Sequence, residues 1–327
     1  MELVVPQDTL WNDAVLAHNM DVLRLDPPSH SHPLADRFVV AGGMQAFQRD
    51  ASGNILSEDP RFGIRLVRGR GWPPDWLQAG LEATASAPGN LAVPKSSAAP
   101  RRWPEPPKVV LHGRSPAGCI DNRPQYTGNV GCEFDGRLSL VHFRGQFRIY
   151  ARSNLREGAL AGGRFVQTSS SVDASHGSWT KWESLQIESV PAGSADVYFL
   201  AAQTNPVDNS SLMALLPLSQ PPHACVALTF SIDGRRFSRP VNLRTSALGW
   251  RTALSNGSGP IEWRSESHPA AGVVRRRDEV WLYIHESVPG VSMRLGRPRP
   301  SLRRYRLPVS MLEMLTRKAV DGLRRAA

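Results

Sequence analysis

The chain has 327 residues, of which 41% are hydrophobic and 21% charged, so its composition excludes a disordered chain and allows a sizeable core. Gly and Pro number 27 each, which favours short strands and turns over long helices. The net charge of +10 suits contact with polyanions. The arginines are nevertheless scattered apart from one tract at 275–306, and no aromatic-interleaved nucleic-acid motif accompanies that tract.

The first residues lack the basic and apolar regions of a signal peptide, and no apolar run approaches the ~20 residues that a membrane span needs. We therefore expect a protein that does not enter a membrane and that is cytoplasmic by default. The three cysteines, Cys119, Cys132 and Cys225, contain no CxxC pair. They predict reduced thiols, no metal site and no cofactor, and they leave the oligomeric state open.

Short β-rich runs separated by Gly, Asp, Asn or Pro turns fill most of the chain. In the clearest run, at 138–152, alternation predicts that Phe147, Ile149 and Ala151 point to one face and Tyr150 to the other. Four strand-meander units follow one another at roughly 14–80, 132–187, 194–243 and 262–308. A period near fifty residues predicts a β-propeller, because no such unit can bury both of its faces alone.

We expect a single domain over 1–327, with a loop insertion rich in Pro, Ala and Ser at about 81–107. The sequence from Ser310 predicts a short C-terminal helix that opens with a capping box to Glu313. Ser171-Val-Asp173 and Ser231-Ile-Asp233 each precede a glycine and an aromatic residue. They resemble the Asp box of sialidase-like propellers, which implies that both aspartates are structural turn residues.

The segment Glu133-Phe134-Asp135-Gly136-Arg137-Leu138-Ser139-Leu140-Val141 resembles an inner strand of the five-bladed glycosidase superfamily, which includes arabinanase-, xylosidase- and invertase-like enzymes. His18–Arg24, followed by Phe38–Gly43, occupies the equivalent place in the first unit. The resemblance covers most of the chain and implies an all-β, five-bladed propeller that holds a carbohydrate in its central funnel. It also places Asn19 where the superfamily usually has an aspartate.

Glycoside hydrolysis needs two carboxyl groups on either side of the scissile bond. The catalytic candidates are Asp135, Glu133, Asp21 and Glu266, with Asp135 first among them. Glu133 and Asp135 share strand parity, which predicts that they face the same way. The following side chains are candidates for substrate binding: His18, Asn19, Arg137, Arg152, Asn154, Asp208, His268 and His285.

Two alternatives stay open beside the hydrolase. Asn19 favours a non-catalytic propeller that binds a glycan or a protein partner. The arginine-rich tract at 275–306 favours polyanion binding, although nucleic acid is not the expected partner, because no aromatic-interleaved nucleic-acid motif accompanies the tract.

Overall fold

The computed structural model describes residues 21–24, 38–42, 47–49, 55–58, 64–69, 109–111, 134, 136–154, 164–173, 179–193, 195–220, 223–246, 248–249, 264–265, 267–286 and 301–326. Within these ranges the chain is mostly β and ends in one helix, as predicted. No helix in them is long and apolar enough to cross a membrane. The predicted insertion at about 81–107 lies outside the described residues.

Two antiparallel sheets come from the first half of the chain. The first sheet has the order β1-β2-β5-β6, and β3 and β4 form a separate pair. The strands of this region are β1 (Asp21–Arg24), β2 (Phe38–Gly42), β3 (Phe47–Arg49), β4 (Ile55–Glu58), β5 (Ile64–Gly69) and β6 (Val109–Leu111). The second sheet is a meander of β7 (Ser139–Phe143), β8 (Gln146–Asn154), β9 (Arg164–Ser171) and β10 (Glu183–Ser184).

The third sheet is the largest of the described part, and the long hairpin at its centre joins β14 to β15. Its strands are β11 (Gln186–Ile187), β12 (Asp196–Val197), β13 (Ala201–Asn205), β14 (Asp208–Gln220), β15 (His223–Ser231), β16 (Arg236–Phe237) and β17 (Val241–Ser246). A short pair, β18 (Leu248–Gly249) and β19 (Arg264–Ser265), follows. The fourth sheet comprises β20 (His268–Arg276), β21 (Glu279–Glu286) and β22 (Ser301–Pro308), and helix α1 (Val309–Arg325) ends the fold.

The sheets stack face to face in chain order. Phe147, Ile149 and Ala151 pack toward Ile64 of the first sheet, whereas Tyr150 on the same strand packs toward the third sheet. The predicted alternation of β8 is therefore confirmed. A third cluster joins the third sheet, the fourth sheet and α1. This stacking of successive meanders is consistent with the predicted propeller.

One strand from each of the four sheets lies beside the corresponding strand of the next sheet, and we call these strands, β1, β7, β13 and β20, the inner strands. Side chains connect them through backbone groups. The Ser139 hydroxyl accepts from the Ala202 N–H at 2.8 Å and donates to the Ala202 carbonyl at 3.2 Å. The Gln203 side chain likewise accepts from the Val273 N–H at 2.6 Å and donates to the Val273 carbonyl at 3.2 Å. These contacts fix how β7, β13 and β20 are aligned with one another along their length.

The turn after β15 confirms the structural role predicted for Asp233. One of its carboxylate oxygens accepts hydrogen bonds from the backbone N–H groups of Arg235 and Arg236, each at 2.8 Å, and from the Ser231 hydroxyl at 3.1 Å. Phe237, the aromatic residue that follows, is fully buried. The motif therefore closes a hairpin and anchors it in the core.

The predicted capping box of α1 is wrong. Pro308 is the residue before the helix, and no side chain caps the first turn. β22 runs directly into the helix, and the Val309 N–H donates to the Asp278 carbonyl at 2.8 Å instead. At the other end, the Arg236 guanidinium donates to the carbonyls of Leu323 and Ala326, which is where a cation stabilises a helix.

Removing the Ser139 hydroxyl tests the connection between inner strands. Ser139→Ala should lower the free energy of unfolding by about 2 kcal/mol, because it leaves two backbone groups of Ala202 without their partner in a buried site. Ser219→Ala is the matched control, since its hydroxyl is equally buried but makes no hydrogen bond within the described residues. Denaturant unfolding that shows the same loss for both variants would contradict this role.

The Asp233 turn predicts a dependence of stability on pH. Partial burial raises the pKa of Asp233, but hydrogen bonds from the Arg236 and Arg235 N–H groups and from Ser231 outweigh it and hold the pKa below 3.8. The Asp233 carboxylate therefore stabilises the folded protein above pH 3.8, and this contribution is lost as the pH falls through the lower pKa of the folded state.

Asp233→Ala should reduce the free energy of unfolding at pH 7 by about 1 kcal/mol, since three turn hydrogen bonds are lost. Denaturant unfolding from pH 7 down to pH 2.5 measures both proteins, and the difference between them should shrink at the acid end. A difference that stays constant over this range would show that the carboxylate charge contributes nothing.

Candidate functional site

Polar and aromatic side chains from successive sheets meet where the inner strands begin. Arg137 lies two residues before β7, Tyr198 and Phe199 lie between β12 and β13, and His268 is the first residue of β20. The His268 ring lies 5.0 Å from the ring of Tyr198 and 5.7 Å from that of Phe199. We call Arg137, Arg152, Tyr198, Phe199 and His268 the mouth.

Arg137 connects the start of β7 to the start of β20. Its guanidinium donates to the Ala270 carbonyl at 2.5 Å and lies 3.4 Å from the Pro269 carbonyl. The same group lies 5.9 Å from the centre of the Phe199 ring. Arg137 therefore holds three segments of the mouth together through one planar side chain.

Tyr198 is held in place by a buried ion pair beneath it. The Arg164 guanidinium lies 4.0 Å from the centre of the Tyr198 ring, and that of Arg152 lies at 5.9 Å. Arg164 makes a two-pronged contact with Asp196, at 2.7 and 2.6 Å, and both side chains are 4% exposed or less. Because the Arg164–Asp196 pair is fixed and desolvated, it fixes the ring of Tyr198 as well.

Gly136 lets the chain pass close to the mouth. A Cβ atom at this position would lie 3.1 Å from the Arg152 Cβ and 3.2 Å from its Cδ. Only glycine leaves these neighbours undisturbed. The backbone at Gly136 therefore lies directly against the Arg152 side chain.

The backbone just before Gly136 is strained. Phe134 is a buried residue with φ of 54°, a left-handed conformation that costs a side-chain-bearing residue about 1–2 kcal/mol. Its ring packs on Trp182 at 5.2 Å, which compensates part of that cost. Regular strand structure begins only at Ser139. Glu133 and Asp135 lie outside the described residues, so the strand-parity argument for them stays a prediction.

Several predicted site residues lie at or near this end of the fold. Arg137, Arg152 and His268 belong to the mouth itself. His285 pairs with His268 across β20 and β21. Asn154 pairs with Arg164 across β8 and β9, and Asp21 opens β1. The candidates that lie outside the described residues are His18, Asn19, Glu133, Asp135 and Glu266.

Asp208 lies elsewhere, because it follows the turn at the far end of β13. Partial burial raises its pKa, but hydrogen bonds from Ser210 and Ser211 outweigh this and keep the pKa below 3.8. It lines a cavity of about 520 Å³ between this turn and α1, where Arg317 and Arg324 accompany Glu313 and Asp321. Asp208 is thus an ionised turn residue at the end opposite the mouth.

Sequence reasoning missed Tyr198, Phe199 and the Arg164–Asp196 pair. A signal was present, because Tyr198 and Phe199 precede the inner strand of the third unit much as Asp135 and Arg137 precede that of the second. The ion pair joins β9 to β12 across 32 residues, and no local pattern announces it. Within the described part of the chain, no three His, Cys, Asp or Glu side chains are grouped as metal ligands.

No family model matches the chain, and no curated protein matches it. Among solved structures it is similar to one titled "Glycoside hydrolase", with a TM-score of 0.42 and 7% identity over 82% of this chain. This alignment spans 61% of that structure's length. A putative glycoside hydrolase from Parabacteroides distasonis has a TM-score of 0.28 and 10% identity, over 52% of this chain and 67% of its own. A GH43 β-1,3-galactosidase with galactodeoxynojirimycin has a TM-score of 0.28 and 8% identity, over 58% and 79%.

Asp196→Asn tests the pair beneath Tyr198. The substitution leaves the Arg164 charge uncompensated in a buried site, so the free energy of unfolding should fall by about 3 kcal/mol. Glu183→Gln is the control, because Glu183 pairs with Arg235 at the exposed surface and should cost less than about 1 kcal/mol. Urea unfolding measures both, and similar losses would show that burial of the Arg164–Asp196 pair has no energetic role.

Proposed function

We propose that this protein is a five-bladed β-propeller of the glycoside hydrolase type and that it binds a carbohydrate at the mouth. The observation that carries the proposal is the meeting of Arg137, Arg152, Tyr198 and His268 where the inner strands begin. In a propeller these ends surround the axis, so a ligand there contacts several sheets at once.

The mouth has the chemistry that a sugar needs. The Tyr198 ring supplies a fixed surface for the apolar face of a pyranose or furanose, because Arg164 and Asp196 hold it from below. Arg137, Arg152 and His268 carry N–H groups that can donate to hydroxyl oxygens. A rigid aromatic ring with polar donors around it favours a ligand with alternating apolar and hydroxyl surfaces.

For hydrolysis we assign Asp135 as the ionised carboxylate. Asp135 adjoins Gly136 in the sequence, and Gly136 lies against the Arg152 side chain. The protonated acid comes from Glu133, Asp21 or Glu266. A separation of ~5–5.5 Å from Asp135 would give retention of configuration, and ~6.5–9.5 Å would give inversion.

The strained backbone at Phe134 supports this placement. A fold keeps a buried left-handed phenylalanine only where the surrounding contacts compensate it, and such residues concentrate at functional sites. Phe134 lies between the two carboxylates Glu133 and Asp135. We infer that the strain serves to aim one of them.

A second candidate function is carbohydrate binding without hydrolysis. The carboxylate of Asp196 lies beneath Tyr198 through its pairing with Arg164, and Arg164 engages both of its oxygens. Such an acid is unsuited to proton transfer. Asn19 in place of an aspartate favours the same alternative.

Release of sugar from a panel of oligosaccharides and aryl glycosides tests the hydrolase. Asp135→Asn should lower kcat by at least 100-fold, because an amide cannot accept a proton or act as a nucleophile. Asp208→Asn makes the same chemical change at the opposite end of β13 and should retain the wild-type rate. Each variant is checked for folding by its unfolding midpoint.

Unchanged release by Asp135→Asn would contradict the assignment of this residue. If the wild-type protein releases no sugar, calorimetric titration with the same panel tests binding, and Tyr198→Ala should abolish it. Sugar binding that survives Tyr198→Ala would exclude the mouth for both candidate functions.

A further inference from the structure

One face of the fourth sheet carries exposed apolar side chains. Its inner face carries Val280, Leu282 and Ile284, which pack against the third sheet and α1. On the other face Val274 is 43% exposed and Leu302 is 60% exposed. These exposed fractions make the side chains of this face accessible to a partner.

Strand pairing turns a scattered arginine tract into an ordered group on that face. Trp281 of β21 lies between Val274 of β20 and Arg306 of β22 in the register, and Tyr283 lies opposite Arg304. The Arg304 guanidinium is 4.4 Å from the centre of the Trp281 ring, and that of Arg276 is 5.7 Å from it. We call Arg276, Trp281, Tyr283, Arg304 and Arg306 the cationic face.

Strand pairing therefore places arginines of the tract beside its aromatic residues. Arg276 and Arg304 come from the two strands that flank β21, and both guanidinium groups lie over the indole ring of Trp281. The Trp281 indole N–H donates to Glu279 at 2.9 Å, which fixes the orientation of the ring.

The charges on this face are only partly balanced. Glu279 pairs with Arg306 at 3.4 Å, and both side chains are largely exposed. Within the described residues, Arg276 and Arg304 pair with no carboxylate. Two other arginines of the tract have partners elsewhere, since Arg275 donates to the Pro206 carbonyl and Arg303 pairs with Glu286.

We propose that the cationic face binds an acidic polysaccharide, through contacts of Arg276 and Arg304 with its carboxylate or sulfate groups. A planar guanidinium can donate two hydrogen bonds to a carboxylate or a sulfate, and the Trp281 ring holds the Arg276 and Arg304 guanidinium groups in place. A single-stranded nucleic acid fits less well, because a base stacks on an uncovered aromatic ring, whereas the Arg276 and Arg304 guanidinium groups already lie over the Trp281 ring. The surface is distinct from the mouth, and only the choice of a polysaccharide over other polyanions rests on the proposed function.

Affinity measured on immobilised polygalacturonate and dextran sulfate, with neutral dextran as reference, tests the proposal. Wild-type protein should bind the two acidic polymers and not dextran, and binding should weaken as salt rises. Arg276→Gln/Arg304→Gln should weaken it about tenfold, since two exposed charge-assisted contacts are lost. Arg144→Gln/Arg239→Gln removes the same charge from exposed positions on other sheets and should bind as wild type.

Two further arms separate this surface from the alternatives. Tyr198→Ala should still bind both polymers, whereas loss of binding in this variant would place the polymer at the mouth and overturn the proposal. Tighter binding of an oligodeoxythymidine through the same two arginines would assign the face to nucleic acid. The proposal would also be overturned if Arg276→Gln/Arg304→Gln bound the polymers as tightly as wild type. A concentration-dependent dimer that only this double variant abolishes would overturn it as well.

Discussion

The architecture depends on how the inner strands are held side by side without joining into one sheet. Ser139 satisfies both backbone groups of Ala202, and Gln203 satisfies both backbone groups of Val273. Each side chain replaces a partner strand where two sheets diverge and no regular ladder can form. Since buried backbone groups without partners are costly, these contacts fix the register between successive sheets.

The mouth follows from that register. Because β7, β13 and β20 begin at the same end of the stacked sheets, the residues just before these strands lie together at that end. Arg137 then reaches the Ala270 carbonyl, and Tyr198 lies beside His268. The buried Arg164–Asp196 pair adds rigidity beneath Tyr198, and a rigid ring loses little conformational freedom when a ligand packs on it.

Patterns confined to one strand or turn could be predicted from the sequence, because periodicity and turn chemistry are local. The alternation of β8, the Asp233 turn and the C-terminal helix all follow from neighbouring residues. One local prediction failed where the backbone departed from the expected pattern, at Pro308, where a strand enters α1 without a cap. The position of Tyr198 on Arg164 and the contact of Trp281 with Arg304 depend on sheet packing and strand register, which one sequence does not reveal.

The most direct test of the account is a crystal structure of the protein soaked with an oligosaccharide that it binds or releases. The account predicts density for a sugar ring against Tyr198 and His268, where β13 and β20 begin, with Asp135 within reach of a glycosidic oxygen. Density confined to the cavity between Asp208 and α1, at the opposite end of β13, would contradict it.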